Sequence, residues 1–450
     1  MKLVYGIHDK PKFSQLLIFA FQQVLAILAA TIAVPAIVGN DMSAAAALFG
    51  AGVGTIVYQL FTKFKSPVFL GSSFAFIGPM LAAFAGGVSM SLGYAGLLIG
   101  AVFAGLVYVV ISIVVKVAGV NWIDKVMPAA VIGPTVALIG LSLAGAAIND
   151  VFSYGAKTTF GISSYFIMNP TTWVSLGCAL ITLLVVILVS TYGKKFSKLI
   201  PFIIGILAGY VVALVLTLIG NAKGIDALKV IDLSVFNGLQ VFHVPEFTFL
   251  EALKGTKEIS GSYIATIAVA YIPVSFVVFA EHLADHKNLS SIIDQDLTKD
   301  PGLHRSLLGD GIGSIAGAIF GGCPNTTYGE SVGCVAITRN ASVVTITTAA
   351  ILCIAISFFG PFVAFLDSIP GCVMGGVCIT LYGFIAVSGL KMIQKVDLNK
   401  NRNLFTVAVI LIPGIGGMAL GIGSVYITTT ACALILGIIV NLLLSRSKED

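Results

Sequence analysis

GGCPNTTYGESVGCVAIT, residues 321–338, holds Glu330 between glycine-rich and apolar sequence with no basic residue within eight positions of it. A second stretch of the same character, SPVFLGSSFAFIGPM, occupies residues 66–80. Both are short, interrupted by glycine and marked by proline, residues that loosen a helix or remove one of its donors. Glycines also let helices pack closely, and that reading suits the dispersed members of the 49 in the chain. For these two stretches the sequence favours a helix that begins partway across a membrane. Such a helix aims unpaired N–H groups and a positive dipole end at a ligand, and extended backbone before it survives only where protein or water buries it.

The surrounding composition supports a membrane setting. The chain of 450 residues is 58% hydrophobic and 10% charged, with a mean hydropathy of +1.03, whereas soluble domains are about a quarter charged. Apolar runs of roughly the 20 residues that span a bilayer recur from end to end, so the sequence reads as an integral membrane protein embedded in lipid. The longest polar piece covers about residues 221–260. MKLVYGIHDKPKFSQ at the N-terminus lacks an apolar core with a small-residue cleavage site and does not read as a cleaved signal peptide. Seven cysteines without a CxxC pair indicate neither a disulfide framework nor a zinc site. They are expected to pack as small hydrophobes. No HExxH, GxSxG or Walker motif occurs, and the glycine-rich run at 309–313 has no strand before it. Neither an enzyme nor a cofactor is expected.

Charge and Gly/Pro punctuation divide the chain into fourteen hydrophobic segments, starting near residues 13, 43, 67, 92, 128, 171, 199, 261, 303, 324, 342, 368, 404 and 425. Lys and Arg collect on the cytoplasmic side of short loops. With both termini inside, this division puts 20 of the 25 basic residues inside, leaving only Lys157, Lys223, Lys229, Lys254 and Lys257 outside. The net charge of +5 follows from this bias and does not argue for nucleic acid as a partner. The polar piece at 221–260 then faces outward and splits the chain seven plus seven. An odd number of spans per half means oppositely oriented halves, the inverted-repeat plan of many secondary transporters. Segments three and ten hold the same place in each half.

Six glutamates occur; Glu246, Glu251 and Glu258 fall in the outer piece, Glu449 at the tail, and Glu281 and Glu330 in membrane sequence. An ionised carboxylate is costly in hydrocarbon and usually faces a cavity, a proton path or a substrate. Glu330 falls where the half-helix of segment ten should begin. Glu281 lies in VSFVVFAEHLADH, and at helical spacing it shares a face with Asp285; neighbouring carboxylates raise one another's proton affinity. The competing reading makes Tyr263 to Ala280 the span and Glu281 to Lys287 the wet inner end of its helix. Hydropathy favours that reading for all of these residues except Glu281, and Asp285 fits either. Asp124 and Asp367 read as solvated caps, and Tyr382 in MGGVCITLYGFIAVSG as a packed aromatic.

GSSFAFI (71–77), AEH (280–282), DPGLHRS (300–306), PNTTYGE (324–330) and GCVAITR (333–339), in this order and spacing, resemble the uracil-transporting members of the nucleobase-ascorbate transporter (nucleobase:cation symporter 2) family. The similarity runs from ATIAVP (30–35) to MGGV (374–377). It implies an all-α membrane protein of fourteen segments in two inverted seven-segment repeats, with short strands before half-helices in segments three and ten. Its core domain would comprise residues 13–117 and 261–357, its gate domain 128–220 and 359–445, with 221–260 as an extracytoplasmic loop. By the same resemblance, Glu281 and Glu330 would accept the N–H groups of uracil, the main chain of Phe74 and Gly329 would meet its polar edge, and Ala30, Tyr328 and Tyr382 would line the pocket. Uracil alternates donors and acceptors, so groups matched to that pattern reject analogues lacking it.

Two departures bear on mechanism: Ser331 stands where the uracil type usually has Asn, and Asp285 where it commonly has His. Proton coupling would then rest on Glu281 and Asp285, with His286 as the neighbouring substitute. Glu330, where purine-transporting relatives carry Gln, points to a pyrimidine. The expectation is a proton-coupled uracil importer of the bacterial cytoplasmic membrane, with sodium as the alternative ion and a homodimer formed through the gate. A xanthine or urate permease of the same fold is the nearest alternative. A ligand receptor or an anion channel on related repeats is disfavoured, because the half-helix starts carry acids and the tail after Leu444 is only SRSKED.

Overall fold

A computed structural model describes residues 3–445 apart from 120, 121, 123, 124, 126, 161, 162, 195, 196, 198, 199, 423 and 424. Asp124 and the basic residues Lys2, Lys195, Lys198, Arg446 and Lys448, all placed in the sequence analysis, lie outside the described residues. The chain opens with α1 (Phe13–Val38), α2 (Ala44–Phe61), the strand β1 (Leu70–Ser72), a 3₁₀ turn (Phe74–Phe76), α3 (Ile77–Ala83), α4 (Met90–Ala118) and α5 (Ala129–Ser142). There follow α6 (Ala144–Val151), β2 (Ala156–Phe160), β3 (Ser163–Ile167), α7 (Pro170–Tyr192) and α8 (Pro201–Lys223). After short turns come α9 (Thr248–Gly255), α10 (Gly261–Ile293), α11 (Leu303–Gly321), β4 (Asn325–Thr327), α12 (Gly329–Thr338) and α13 (Val343–Ser357). The last elements are α14 (Gly360–Asp367), α15 (Gly371–Ile393), α16 (Asn401–Ile415), β5 (Leu420–Ile422), β6 (Val425–Ile427) and α17 (Thr429–Leu444).

Among the described residues, eight helical stretches are long and apolar enough to cross a membrane, and four shorter apolar helices accompany them. The fold is therefore mostly helical and membrane-spanning. Two compact units divide it: residues Met1–Ser142, Val244–Ser357 and Ile385–Asp450 form the first, and Leu143–His243 with Phe358–Phe384 the second. All seven cysteines are free and buried.

Sequence reading missed two strand pairs and misjudged one helix. β2 pairs with β3, antiparallel from Ala156↔Ile167 to Phe160↔Ser163, and β5 pairs with β6 from Leu420↔Ile427 to Ile422↔Val425. Strands are thus not confined to segments three and ten. Residue 425, read as the start of the last span, belongs to a hairpin, and the helix starts after Thr428, whose hydroxyl caps it by accepting from the Ala431 N–H at 3.4 Å. The third difference is α10, which continues to Ile293 with His282 0% and His286 1% exposed. These histidines are packed inside the first unit and are not a wet helix end.

In the first unit α2 lies against α11 through glycines. A Cβ on Gly54 would sit 2.7 Å from the Gly313 carbonyl oxygen, and one on Gly317 2.9 Å from that of Gly50. Only hydrogen fits there, so the two backbones approach as small residues allow in membrane helices. The Asn325 amide donates to the Gly50 carbonyl at 3.0 Å, tying β4 to this seam.

Candidate functional site

The broken segments meet as a two-stranded ribbon: Leu70 pairs with Thr327, Gly71 with Thr326 and Ser72 with Asn325. Three residues per strand leave extended backbone at either end, and each unmet group in an apolar interior costs a few kcal/mol. Nearby groups satisfy it. Ser73 N–H donates to the Pro324 carbonyl at 2.9 Å and Tyr328 N–H to that of Phe69 at 3.2 Å. From α2, the Gln59 amide donates to the Ser66 carbonyl at 2.8 Å, and the Thr55 hydroxyl accepts from Leu70 N–H at 2.9 Å. Ser331 Oγ accepts from Phe69 N–H at 2.9 Å and also from the Gln23 amide of α1. Because the strands are antiparallel, the 3₁₀ turn at Phe74 and helix α12 leave the ribbon from opposite ends. Their amino ends both point back to it.

Tyr328 locks the ribbon to α12. Its hydroxyl donates to the Ser72 carbonyl at 2.6 Å, and its ring covers Gly71 so closely that a Cβ there would overlap ring carbons. Glu330 follows in the first turn of α12, where the helix dipole favours a carboxylate. Glu330, Glu281 and Asp285 are all only partly buried. Glu281 and Asp285 lie one helical turn apart on α10. Asp285 accepts a hydrogen bond from the Thr327 hydroxyl at 3.0 Å, and its other oxygen would be 3.8 Å from a Cβ on Gly329. Three acidic side chains thus gather where β4 becomes α12, presenting acceptors on a surface that also offers main chain.

Behind them lies a buried polar cluster. His282 Nδ1 is 2.7 Å from Asp310 Oδ2, with the two side chains 0% and 1% exposed. Asp310 also accepts from the Thr326 hydroxyl at 3.4 Å, and His282 Nε2 lies 3.0 Å from Ser306 Oγ. The rings of His282 and His286 stack with centroids 4.4 Å apart, and His286 Nε2 is 3.3 Å from the Tyr58 hydroxyl. One oxygen of the buried Asp310 carboxyl is thus hydrogen-bonded, as a polar group in such a place needs to be.

Of the residues singled out from the sequence, Glu281, Asp285, Tyr328, Gly329 and Glu330 come together here. Phe74 is half-buried in the 3₁₀ turn that packs on α10. Ala30 is buried on α1, which packs against β1, α3 and α12. His286 faces α2 through Tyr58. Tyr382 is buried on α15 in the second unit. Sequence reading passed over Asp310, Thr326, Thr327 and Gln23. Asp310 carried the same signal as Glu330, an acid in a glycine-rich apolar run, but among the aspartates only Asp124, Asp285 and Asp367 were weighed.

The model of the Permease family matches residues 14–422. The chain is 37% identical to the uracil permease of Bacillus subtilis (strain 168), over 100% of this chain and 97% of that protein. It is 34% identical to the uracil permease of Escherichia coli (strain K12), over 96% of this chain and 92% of the other. Among solved structures, the transmembrane domain of a cyanobacterium bicarbonate transporter, BicA, is similar with a TM-score of 0.63 at 17% identity, covering 97% of this chain and 99% of that one. The last likeness is one of fold alone.

Proposed function

The chain belongs to the Permease family, whose relatives are transporters and not enzymes, and from that membership we infer that it imports uracil across the bacterial cytoplasmic membrane together with a proton. The observation that carries this reading is the set of half-buried carboxylates at the start of α12: Glu330 in its first turn, Asp285 accepting from Thr327 just before it, and Glu281 one turn earlier on α10. Uracil has two N–H donors flanked by carbonyls. Carboxylates accept the former, and main-chain N–H groups near Phe74 and Gly329 suit the latter. Pocket groups of this kind reject a base whose pattern differs, because buried acceptors would be left unmet. Tyr328 and Ala30 complete the proposed lining in the first unit.

Coupling follows from the crowding of acids. Glu281 and Asp285 sit one turn apart on α10, with Asp285 against the residues that open α12. In the mechanism proposed here, a proton taken up from outside on Glu281, shared with Asp285, neutralises the site and lets the loaded core move against the gate. Release inside returns it. The core comprises residues 13–117 and 261–357 and the gate 128–220 and 359–445, in two inverted repeats with both termini cytoplasmic. The antiparallel β1–β4 ribbon, one strand from each half and each followed by a short helix, supports that symmetry. In this proposal the fourteen segments correspond to the eight long and four short apolar helices together with α11 and α12. A homodimer through the gate is part of the same proposal.

Proteoliposomes driven by an inward proton gradient test the coupling. Labelled uracil should accumulate, uptake should fall as external pH rises, and Glu281→Gln, held neutral at every pH, should lose both the accumulation and the pH response while retaining gradient-free exchange at a reduced rate. Undiminished accumulation by Glu281→Gln would refute the proton role.

A further inference from the structure

The segment before α1 is fixed to the chain just after α12. Val4 and Tyr5 N–H groups donate to the Arg339 carbonyl at 2.8 and 3.3 Å, Ala341 N–H to that of Tyr5 at 2.9 Å, and Val343 N–H to that of Ile7 at 3.0 Å. The Ser342 hydroxyl donates to the Asp9 carbonyl at 2.6 Å. This strap forms one wall of a groove of about 470 Å³, whose floor is the outer face of α13 and whose other wall is Phe64 from the turn after α2.

The groove is greasy below and basic above. Ile351 and Phe64 are 54% and 42% exposed, and an apolar face of that kind on a membrane protein meets hydrocarbon. The floor's hydroxyls are committed: Thr347 donates to the Val343 carbonyl at 3.0 Å and Thr348 to that of Val344 at 2.8 Å. A polar solute would therefore find no free donor on the floor. The exposed side chains Lys10 and His8 also line the groove. The Asp9 carboxylate between them in sequence accepts from Gly6 N–H at 2.7 Å, and Lys65 beside Phe64 pairs with Asp300 at 2.7 Å. Lys12 and Lys63 flank the same two walls in sequence and add positive charge.

We propose that this groove is a binding site for one anionic phospholipid, with an acyl chain along α13 and the phosphate on Lys10 and His8. The charge complementarity selects the headgroup and the spent hydroxyls select the chain. Basic residues near a bilayer surface each favour anionic lipid by about 1 kcal/mol, which is about five-fold in affinity. A bound lipid would also brace the strap, and through it the carboxyl end of α12, the helix whose first turn holds Glu330. The site is independent of which solute is carried.

Native mass spectrometry of the delipidated full chain tests this. Phosphatidylglycerol, phosphatidylcholine with the same acyl chains, and glycerol phosphate alone would each be titrated. One tight phosphatidylglycerol adduct is expected, weakened about five-fold in Lys10→Gln and lost in Thr348→Trp, which fills the floor; glycerol phosphate should not bind. Equal binding of the two lipids, or an adduct unchanged in both variants, overturns the proposal. Binding of glycerol phosphate as tight as that of the lipid would overturn it in favour of a small-anion site. Lys10 is exposed, so its variant keeps the test decisive even if Thr348→Trp does not fold.

Discussion

Ser331→Ala removes one oxygen that holds three elements together. Ser331 Oγ accepts from Phe69 N–H at 2.9 Å and from the Gln23 amide. Without it the Phe69 N–H is buried and unmet, at about 1–3 kcal/mol, while Gln23 keeps a weaker contact to the Ser331 carbonyl at 3.4 Å. The loss centres on the first turn of α12, beside Glu330. A cost of ~2 kcal/mol felt wholly there would raise the uracil Kd about 30-fold, an upper bound because part of it will appear as lost stability. The assay is calorimetric titration of uracil into the purified protein for Gln23→Leu, Ser331→Ala and the double variant. Since the two side chains share a bond, their effects should fall short of additive by ~1 kcal/mol, about five-fold in Kd. Additive effects, or wild-type affinity and stability in Ser331→Ala, would refute the reasoning.

Gly71→Ala should be far more damaging than its size suggests, because the added methyl overlaps the Tyr328 ring and overpacking costs ~1–3 kcal/mol; loss of uracil binding with protein still monodisperse is the expected result, and normal binding would show that Tyr328 can move freely. Outside the membrane segments, hydrogen bonds from Lys254 and then Ser91 hold the Glu251 carboxyl below the ordinary glutamate range. A depressed carboxyl contributes stability above its unfolded pKa of ~4.3 and loses it as pH falls through the folded value. Protection of the α9 amides, taken relative to their intrinsic exchange rate at each pH, should thus fall below about pH 4 in the wild type and fall less in Glu251→Gln; an equal loss of protection in both would contradict this.

Helix-forming apolar runs were legible in the sequence because hydropathy is a property of each residue in turn. The broken segments were legible too, from the close spacing of Gly71, Gly78 and Pro79 in one and of Gly321, Gly322, Pro324 and Gly329 in the other. The β5–β6 hairpin was not, because LGI and VYI are as apolar as the helix after them and only pairing makes them strands. Nor was the burial of His282 and His286, which depends on Asp310, 28 positions further on, and Tyr58, 228 positions earlier. Polarity alone assigned those histidines to water. Asking why an acid stands in apolar sequence singled out Glu281 and Glu330, and the same question put to Asp310 would have singled it out too.

The most direct test of the account is labelled-uracil uptake by proteoliposomes carrying wild-type protein or Glu330→Gln, each with and without excess xanthine. The account predicts wild-type uptake that xanthine does not block and little uptake by the variant. Uptake blocked by xanthine, or indifferent to Glu330, would contradict it.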